Sequence, residues 1–538
     1  MKRLLTVCAL FVAALVVGAA SVSAQGVTTS QVRGRVVGPQ GAPVEGAQVT
    51  AIHQPSNTTY RSSTRADGSF TIPGMRVGGP YLVRATAIGF QPATQDNVFL
   101  TLGTATDVNF GMSQAVVELG ELQVSAQAGQ FSSTRTGAAT TVTQEVLEAL
   151  PTISRRITDL TRLTPQARGG RFLGQDDRLN NITVDGSYFN NSFGLAGTPG
   201  DRTGVSPIPL DAIEQIQVEM APYDVRQGQF VGAGVNTVTK SGTNEFSGSL
   251  YYQVRNESFV GKRINGADFD PGTFDFSNLG VRLSGPIIKD KLFFFANYED
   301  DKFTEPGTLW TANEGGEAIT GTKTRVLRSD LDALSSFLQS EFGYATGPYE
   351  GYDHETPSKR FLGRLDWNVS DRNKFSLRYT HLDSKTDVLA SNSSSLGTVG
   401  NRRTNQNSLT YQNTNYQILE NIRSIVGELN SQIGSNKSNQ LIVGYNESDE
   451  SRDTRGGAFF PLVDILDGST NYISFGYEPF TPNNELRYNS WQLQDNFTIY
   501  GNTMDWTFGV TGEKYESENV FFPGSQSVYV YNSLNGFY

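Results

Sequence analysis

From Phe246 onward the chain alternates. Phe246, Gly248, Leu250, Tyr252 and Val254 interleave with Ser247, Ser249, Tyr251, Gln253 and Arg255. The same period returns at 279–284, 361–369, 375–380 and 504–510. Residues two apart on a strand share a face. Each run therefore presents one mostly apolar, often aromatic face and one face carrying polar residues such as Arg, Asp, Asn and Gln. Runs near ten residues fit a tilted strand crossing a bilayer. The links alternate too: short ones at 288–291 and 370–373 read as turns, and a long polar one at 302–359 reads as a loop. A soluble antiparallel sandwich also alternates, but it does not call for a charged second face in strand after strand. Past the N-terminus no apolar run reaches the length of a transmembrane helix, so a membrane span requires a closed barrel.

Composition agrees. Charged residues are 18% of the 538, against 56 Gly, 22 Tyr and 32 Phe, a mixture suited to strands and turns rather than helical bundles. The formal net charge of -11 disfavours nucleic acid, which needs a basic face. Lys2 and Arg3 precede an apolar run from Leu4 to Ala20, and Val22, Ser23 and Ala24 are small. This predicts a cleaved signal peptide over 1–24; the alternative, an uncleaved anchor, sits at the short limit of roughly 20 residues for a span. The single cysteine, Cys8, lies in that leader. The mature chain is thus expected to lack a disulfide scaffold, a thiolate metal site and a thiol nucleophile.

Residues 27–113 carry short strand signals separated by turns, as a sandwich requires. Gly34-x-Val36, the Gly41-x-Pro43-Val44-x-Gly46-Ala47-x-Val49 run, Asp67-Gly68-x-Phe70-x-Ile72 and Gly79-Pro80-Tyr81 resemble the carboxypeptidase regulatory-like domain. That resemblance implies a seven-stranded transthyretin-like β-sandwich with a carbohydrate-binding-like fold. Residues 114–136 form a linker with an acidic-apolar stretch at 118–126, followed by small polar residues with no core-forming pattern.

Residues 137–243 mix short helices and strands. The run 144–151 is a helix stopped by Pro151 and 157–165 a second helical run. Residues 181–186 form a strand ending in the Asp185-Gly186 turn. Residues 210–213 make a helical turn, and 215–220 and 234–239 are strands. This order, running straight into alternating strands at 244–538, resembles the plug-to-barrel junction of TonB-dependent outer-membrane receptors. The N-terminal sandwich, the Gly-, Arg- and Asn-rich stretch 166–204 and the run 289–295 resemble the Oar-like branch. The resemblance implies structural roles for Asp185, Gly186, Leu210, Asp211 and Ile213 in the plug. It also implies a TonB box at 121–126, with Glu121, Leu122, Gln123 and Val124 adding as a strand to a TonB-type periplasmic energising protein; plain linker is the competing reading. The expected fold is mainly β: sandwich, small α+β plug and a transmembrane antiparallel β-barrel. Roughly eleven strands are expected, and plugged transporters have about twenty-two. Open edges in lipid are costly, so the sequence predicts about the first half of a barrel and a longer parent chain.

No catalytic constellation is visible. His53, His354 and His381 lack zinc-ligand spacing, no nucleophile elbow is present, and Lys240-Ser241 lacks the glycine and helix of a phosphate loop. His53 is expected to be an ordinary strand or turn residue. Glu299-Asp300-Asp301 could hold calcium, but a solvated acidic cluster is the favoured reading. No metal, cofactor or catalytic residue is expected. The resemblance implies a receptor of a Gram-negative outer membrane, with the sandwich in the periplasm, lipid around the barrel and an extracellular ligand that could be a peptide, a glycan or a chelated metal. The alternative is a carbohydrate-binding or adhesion protein anchored by its barrel.

Overall fold

A computed structural model describes residues 27–114, 139–150, 152, 156–191, 193–220, 224–228, 230–268, 270–455 and 458–538. The leader and the segment 121–126 lie outside these residues. The described chain is mostly strand, and none of its helices is long and apolar enough to cross a membrane.

The first unit is a two-sheet sandwich. One sheet holds β1 (Ser30–Val37), β4 (Ser69–Met75) and the broken strand β7 (Ala105–Asp107) and β8 (Phe110–Gly111). The other runs β3 (Thr58–Ser63), β2 (Gln48–His53), β5 (Gly78–Thr86) and β6 (Ala93–Leu100). Both β7 and β8 pair parallel to β1, so counting them as one broken strand makes seven. Alternate residues Val32, Val49, Ala51, Phe70, Ile72, Tyr81, Val83 and Phe110 meet in the core. Gly34 is required by close approach: a Cβ there would overlap the Val108 carbonyl. His53 ends β2 and is buried. Its Nδ1 lies 2.7 Å from Ser56 Oγ, and burial drives its pKa down to about 2.

The second unit is a five-stranded sheet with two short helices. Its order is β11 (Ser187–Tyr188), β10 (Asn181–Val184), β13 (Gly234–Thr239), β12 (Ile213–Glu219) and β9 (Ala139–Val142). The helices are α1 (Gln144–Ala149) and α2 (Ile157–Thr161). The second helix is shorter than its sequence signal, ending before Pro165. Ile213 leaves the 3-10 turn Leu210–Ala212 as the first residue of β12.

The third unit is a meander of nine long antiparallel strands. These are β14 (Ser247–Asn256), β15 (Asp275–Ile288), β16 (Leu292–Pro306), β17 (Asp353–Asn368), β18 (Asn373–Val388), β19 (Tyr416–Ile433), β20 (Lys437–Asp449), β21 (Asn484–Tyr500) and β22 (Asp505–Phe521). Nine is fewer than the expected eleven. They run to 18 residues, longer than a bilayer crossing needs. Tight turns join them at one end, as expected for 288–291 and 370–373, and long links at the other. The outward face carries Leu250, Val281, Leu365, Trp367 and Phe508, all solvent-accessible in the isolated chain. The opposite face packs on the second unit, and its apolar patch of Phe295, Leu362, Leu382 and Ile422 completes that unit's core.

The long link 302–359 is not one polar loop. Strand β16 extends to Pro306, β17 starts at Asp353, and between them lies α3 (Arg328–Phe342). Leu331, Leu334 and Leu338 of α3 pack with Leu409, Val463, Ile465, Ile473 and Phe475 from two other links. The strand Leu462–Asp467 pairs with Thr470–Phe475 and with Val528–Tyr531. The loop end thus carries a folded cap with its own core.

Candidate functional site: the plug against the wall

The plug is held in place by hydrogen bonds to the polar face of the wall. At Asp185 the chain turns through two left-handed residues, Asp185 at φ 46 and Gly186 at φ 80. The turn places the carboxylate beside β13, where it accepts from Thr239 N at 2.9 Å and Thr239 Oγ1 at 2.8 Å. The wall supplies the cations: Arg364 Nη1 donates to Asp185 Oδ1 at 3.0 Å and Arg378 Nε lies 3.4 Å from Oδ2. Arg364 also pairs with Asp366 at 2.9 Å. A Cβ on Gly186 would meet the Ile442 side chain of β20 at 2.5 Å, so glycine allows the turn to reach the wall.

Asp211 makes the second join. It lies 3.5 Å from Lys240 Nζ, 3.2 Å from Arg282 Nη1 of β15, and accepts from Ser249 Oγ of β14 at 3.0 Å. Leu210 packs on the plug core, and Ile213 lies within it.

Farther along the wall three acceptors take groups from the plug's long 189–209 connection and its short β11. Glu420 accepts from Gly200 N at 2.5 Å and Thr203 N at 3.0 Å. Glu450 accepts from Asn191 Nδ2 at 3.0 Å and pairs with Arg202 at 3.3 Å. Gln492 Oε1 accepts from Ser187 Oγ and Tyr188 N, both at 2.8 Å. Buried charges survive only when paired and hydrogen-bonded; plug and wall supply many of each other's partners here, though Arg378 Nε and Nη1 have no hydrogen-bond partner among the described residues.

Glu299 and Asp301 are not a solvated cluster. Consecutive strand residues face opposite ways, so both turn inward and ion-pair with Arg360, while Asp300 lies between them on the other face. Arg360 Nη1 also donates to the Ser206 carbonyl of the plug at 2.9 Å. No group of three or more metal-binding side chains occurs among the described residues.

Between this plug loop and the wall a cavity of about 340 Å³ opens toward the loop end, lined by Val205, Arg255, Phe276, Phe303, Glu305 and Thr356, among others. The Arg255 guanidinium lies 5.4 Å from the Phe274 and Phe276 ring centres, and its Nε has no hydrogen-bond partner. The pocket combines aromatic faces, a cation and an adjacent carboxylate, a lining that can orient a polar ligand.

The sequence marks Asp185, Gly186, Leu210, Asp211 and Ile213, and the structure brings all five to the plug core or its wall contacts. It leaves Arg360, Arg364, Arg378, Glu420, Glu450 and Gln492 unmarked. Their only signal is an inward place in an alternating strand, and Glu450, just past the end of β20, lacks even that.

Comparison with known proteins adds the following. Residues 31–113 match the carboxypeptidase regulatory-like domain and 238–314 an outer membrane beta barrel domain. The chain is 27% identical over 260 residues to the TonB-dependent transporter Oar of Myxococcus xanthus, covering 44% of this chain and 23% of that protein. It is 29% identical over 180 residues to the probable TonB-dependent siderophore receptor PirA of Acinetobacter baumannii, covering 29% and 22%. These alignments span less than a quarter of either relative. Among solved structures, the outer membrane transporter YddB from Escherichia coli aligns with 70% of this chain and 48% of its own, at a TM-score of 0.46 and 12% identity. The homologues are transporters and receptors rather than enzymes.

Proposed function

We propose that this chain, an outer-membrane homologue of TonB-dependent transporters in a Gram-negative bacterium, takes up an extracellular ligand with energy supplied from the periplasm. The observation that carries the reading is the plug itself. A folded five-stranded unit fills the polar side of the wall and is tied to it by paired charges at Asp185, Asp211 and Arg202. A passive anchor has no need of such a stopper, and a stopper in a pore must be moved for anything to pass. The ligand would enter at the loop end, in the cavity beside Arg255 and Phe303. The pull would arrive through 121–126, ahead of the edge strand β9.

Peptide, glycan and chelated metal all remain within this reading, since loops set the ligand on a shared scaffold. The test takes cells producing the receptor and a panel of labelled oligopeptides, oligosaccharides and ferric chelates, with and without a protonophore. Accumulation of one class that collapses with the proton-motive force supports uptake. Surface binding without energised accumulation supports the alternative of an adhesion protein with a barrel anchor.

A further inference from the structure

The N-terminal sandwich is fastened to two bodies at once, and the two sets of fastenings differ in kind. Toward the plug they are buried. Gln215 and Gln217 of β12 reach the turn after β6. Gln215 Oε1 accepts from Leu102 N at 3.0 Å, and its Nε2 donates to the Leu100 carbonyl at 3.2 Å. Gln217 Nε2 donates to the Leu102 carbonyl at 2.9 Å. The turn is shaped for this contact: Gly103 has φ +67, and a Cβ there would stand 2.9 Å from Gln217 Nε2. Leu102 and Val77 bury themselves against Val238 of β13. Arg76 donates to the Ser241 and Gly242 carbonyls at 3.2 and 3.1 Å, where plug becomes wall.

Toward the turn-end rim of the wall the fastenings are as numerous but mainly polar, some buried and some exposed; among them Ser62 Oγ donates to the Ser435 carbonyl at 3.5 Å and Asn244 N to the Pro55 carbonyl at 2.9 Å. Thr28 Oγ1 donates to Glu428 at 2.6 Å and accepts from Gln440 at 2.8 Å. Asn368 Nδ2 donates to Thr58 Oγ1 at 3.0 Å. The Arg61–Asp371 pair at 3.2 Å is exposed on both sides, and exposed pairs hold weakly. A cavity of about 110 Å³ separates sandwich from rim around Tyr60, Arg372 and Lys374.

We propose that the sandwich is a latch across the mouth of the pore, and that it leaves the rim together with the plug, as one body, when the linker is pulled. The linker starts just after Gln114 in the sandwich and re-enters the described chain at Ala139 in the plug. Tension applied between those points loads two units that are already bonded to each other through buried side chains. The joint that parts first is then the rim, where an exposed ion pair and a cavity interrupt the contact. The proposal rests on the uptake reading only for what supplies the pull.

The test supplies the pull by instrument. The full chain in supported outer-membrane patches with the periplasmic face uppermost is pulled from a peptide tag inserted at Val124, and the force of the first rupture is read one molecule at a time. The only native cysteine is Cys8 in the leader, so engineered pairs are unambiguous. A rim pair, Thr58→Cys with Asn368→Cys, is expected to raise the first-rupture force at least twofold when oxidised and to lose that increase in reductant. A plug pair, Leu102→Cys with Val238→Cys, is expected to leave it unchanged. A third variant, Thr28→Val with Gln440→Leu, needs no disulfide and is expected to lower the force. The proposal is overturned if the plug pair raises the force as much as the rim pair, or if no variant changes it. Neither result depends on an energising protein, so the absence of a partner for 121–126 would sink the uptake reading while leaving the latch standing.

Discussion

Asp185 and Arg364 meet at 3.0 Å across the boundary between plug and wall, although 179 residues separate them in the chain. One carboxylate closes the Asp185-Gly186 turn on Thr239 and receives two wall guanidiniums. The local fold of the plug and its seat in the wall therefore depend on the same side chain.

Replacing Asp185 with Asn should leave the buried Arg378 facing a neutral partner, while Arg364 keeps only Asp366. Removing one member of a buried pair costs about 3–5 kcal/mol. The expected result is a lower urea concentration for protease cleavage within 139–243. Exchanging Arg378 for Met in the same chain should recover part of the loss. An unchanged urea midpoint in Asp185→Asn would show that the pair contributes nothing to seating the plug.

Glu219 ends β12 in the plug. Burial raises its pKa from 4.5 to about 7, and one carboxylate oxygen lacks a hydrogen-bond partner. The folded plug thus holds a proton that the unfolded chain has released. Stability from this group is complete below pH 4.5 and is lost as the pH rises through about 7. Glu219→Gln should stabilise the plug by roughly 2–3 kcal/mol at pH 8 and by little at pH 4. Parallel denaturation curves for parent and variant from pH 4 to pH 8 would count against a buried, protonated carboxyl.

Leu334 of α3 is fully buried in the cap. Truncation to Ala should cost about 2–5 kcal/mol, confined to the cap because that core is separate from the plug core. Amide hydrogen exchange should quicken across 328–342 and 462–475, while β15–β20 keep their protection. Faster exchange throughout the wall would mean that the cap is not an independent unit.

The coupling segment can be tested by backbone chemistry. Val124→Pro removes an N–H donor and fixes φ, so strand addition by 121–126 should weaken; Val124→Ala keeps the donor and should do less harm. Ligand binding from outside should survive both changes. Energised uptake by the proline variant at the parent rate would show the segment to be a spacer.

What the sequence made legible follows from what alternation encodes. A period of two reveals strands and their faces, which is why Leu250, Trp367 and Phe508 fall on the outward side as read. An Asp-Gly pair encodes a turn by its own φ preference, so the Asp185-Gly186 turn is legible from two adjacent residues. Partnership across strands has no local signature: nothing near Glu420 announces Gly200 and Thr203. Glu299-Asp300-Asp301 looked like one cluster because adjacency in sequence is opposition in a strand. The cap is hard to read for a different reason. Its link is polar overall, yet Leu331, Leu334 and Leu338 have helical spacing and Gly343 stands at the left-handed C-cap with φ 65, so the helix does have a local signature inside a polar stretch.

The cap also bears on how this surface would be seen by an immune system. Its strands Leu462–Asp467 and Val528–Tyr531 lie side by side in parallel, yet they come from links on opposite sides of two wall strands, and α3 comes from a third. Antibody epitopes on this face are therefore assembled from distant stretches of chain. Sera raised against single-loop peptides should bind the denatured protein and miss the intact cell, and substitutions that escape one antibody must still satisfy a packed core shared with the other links.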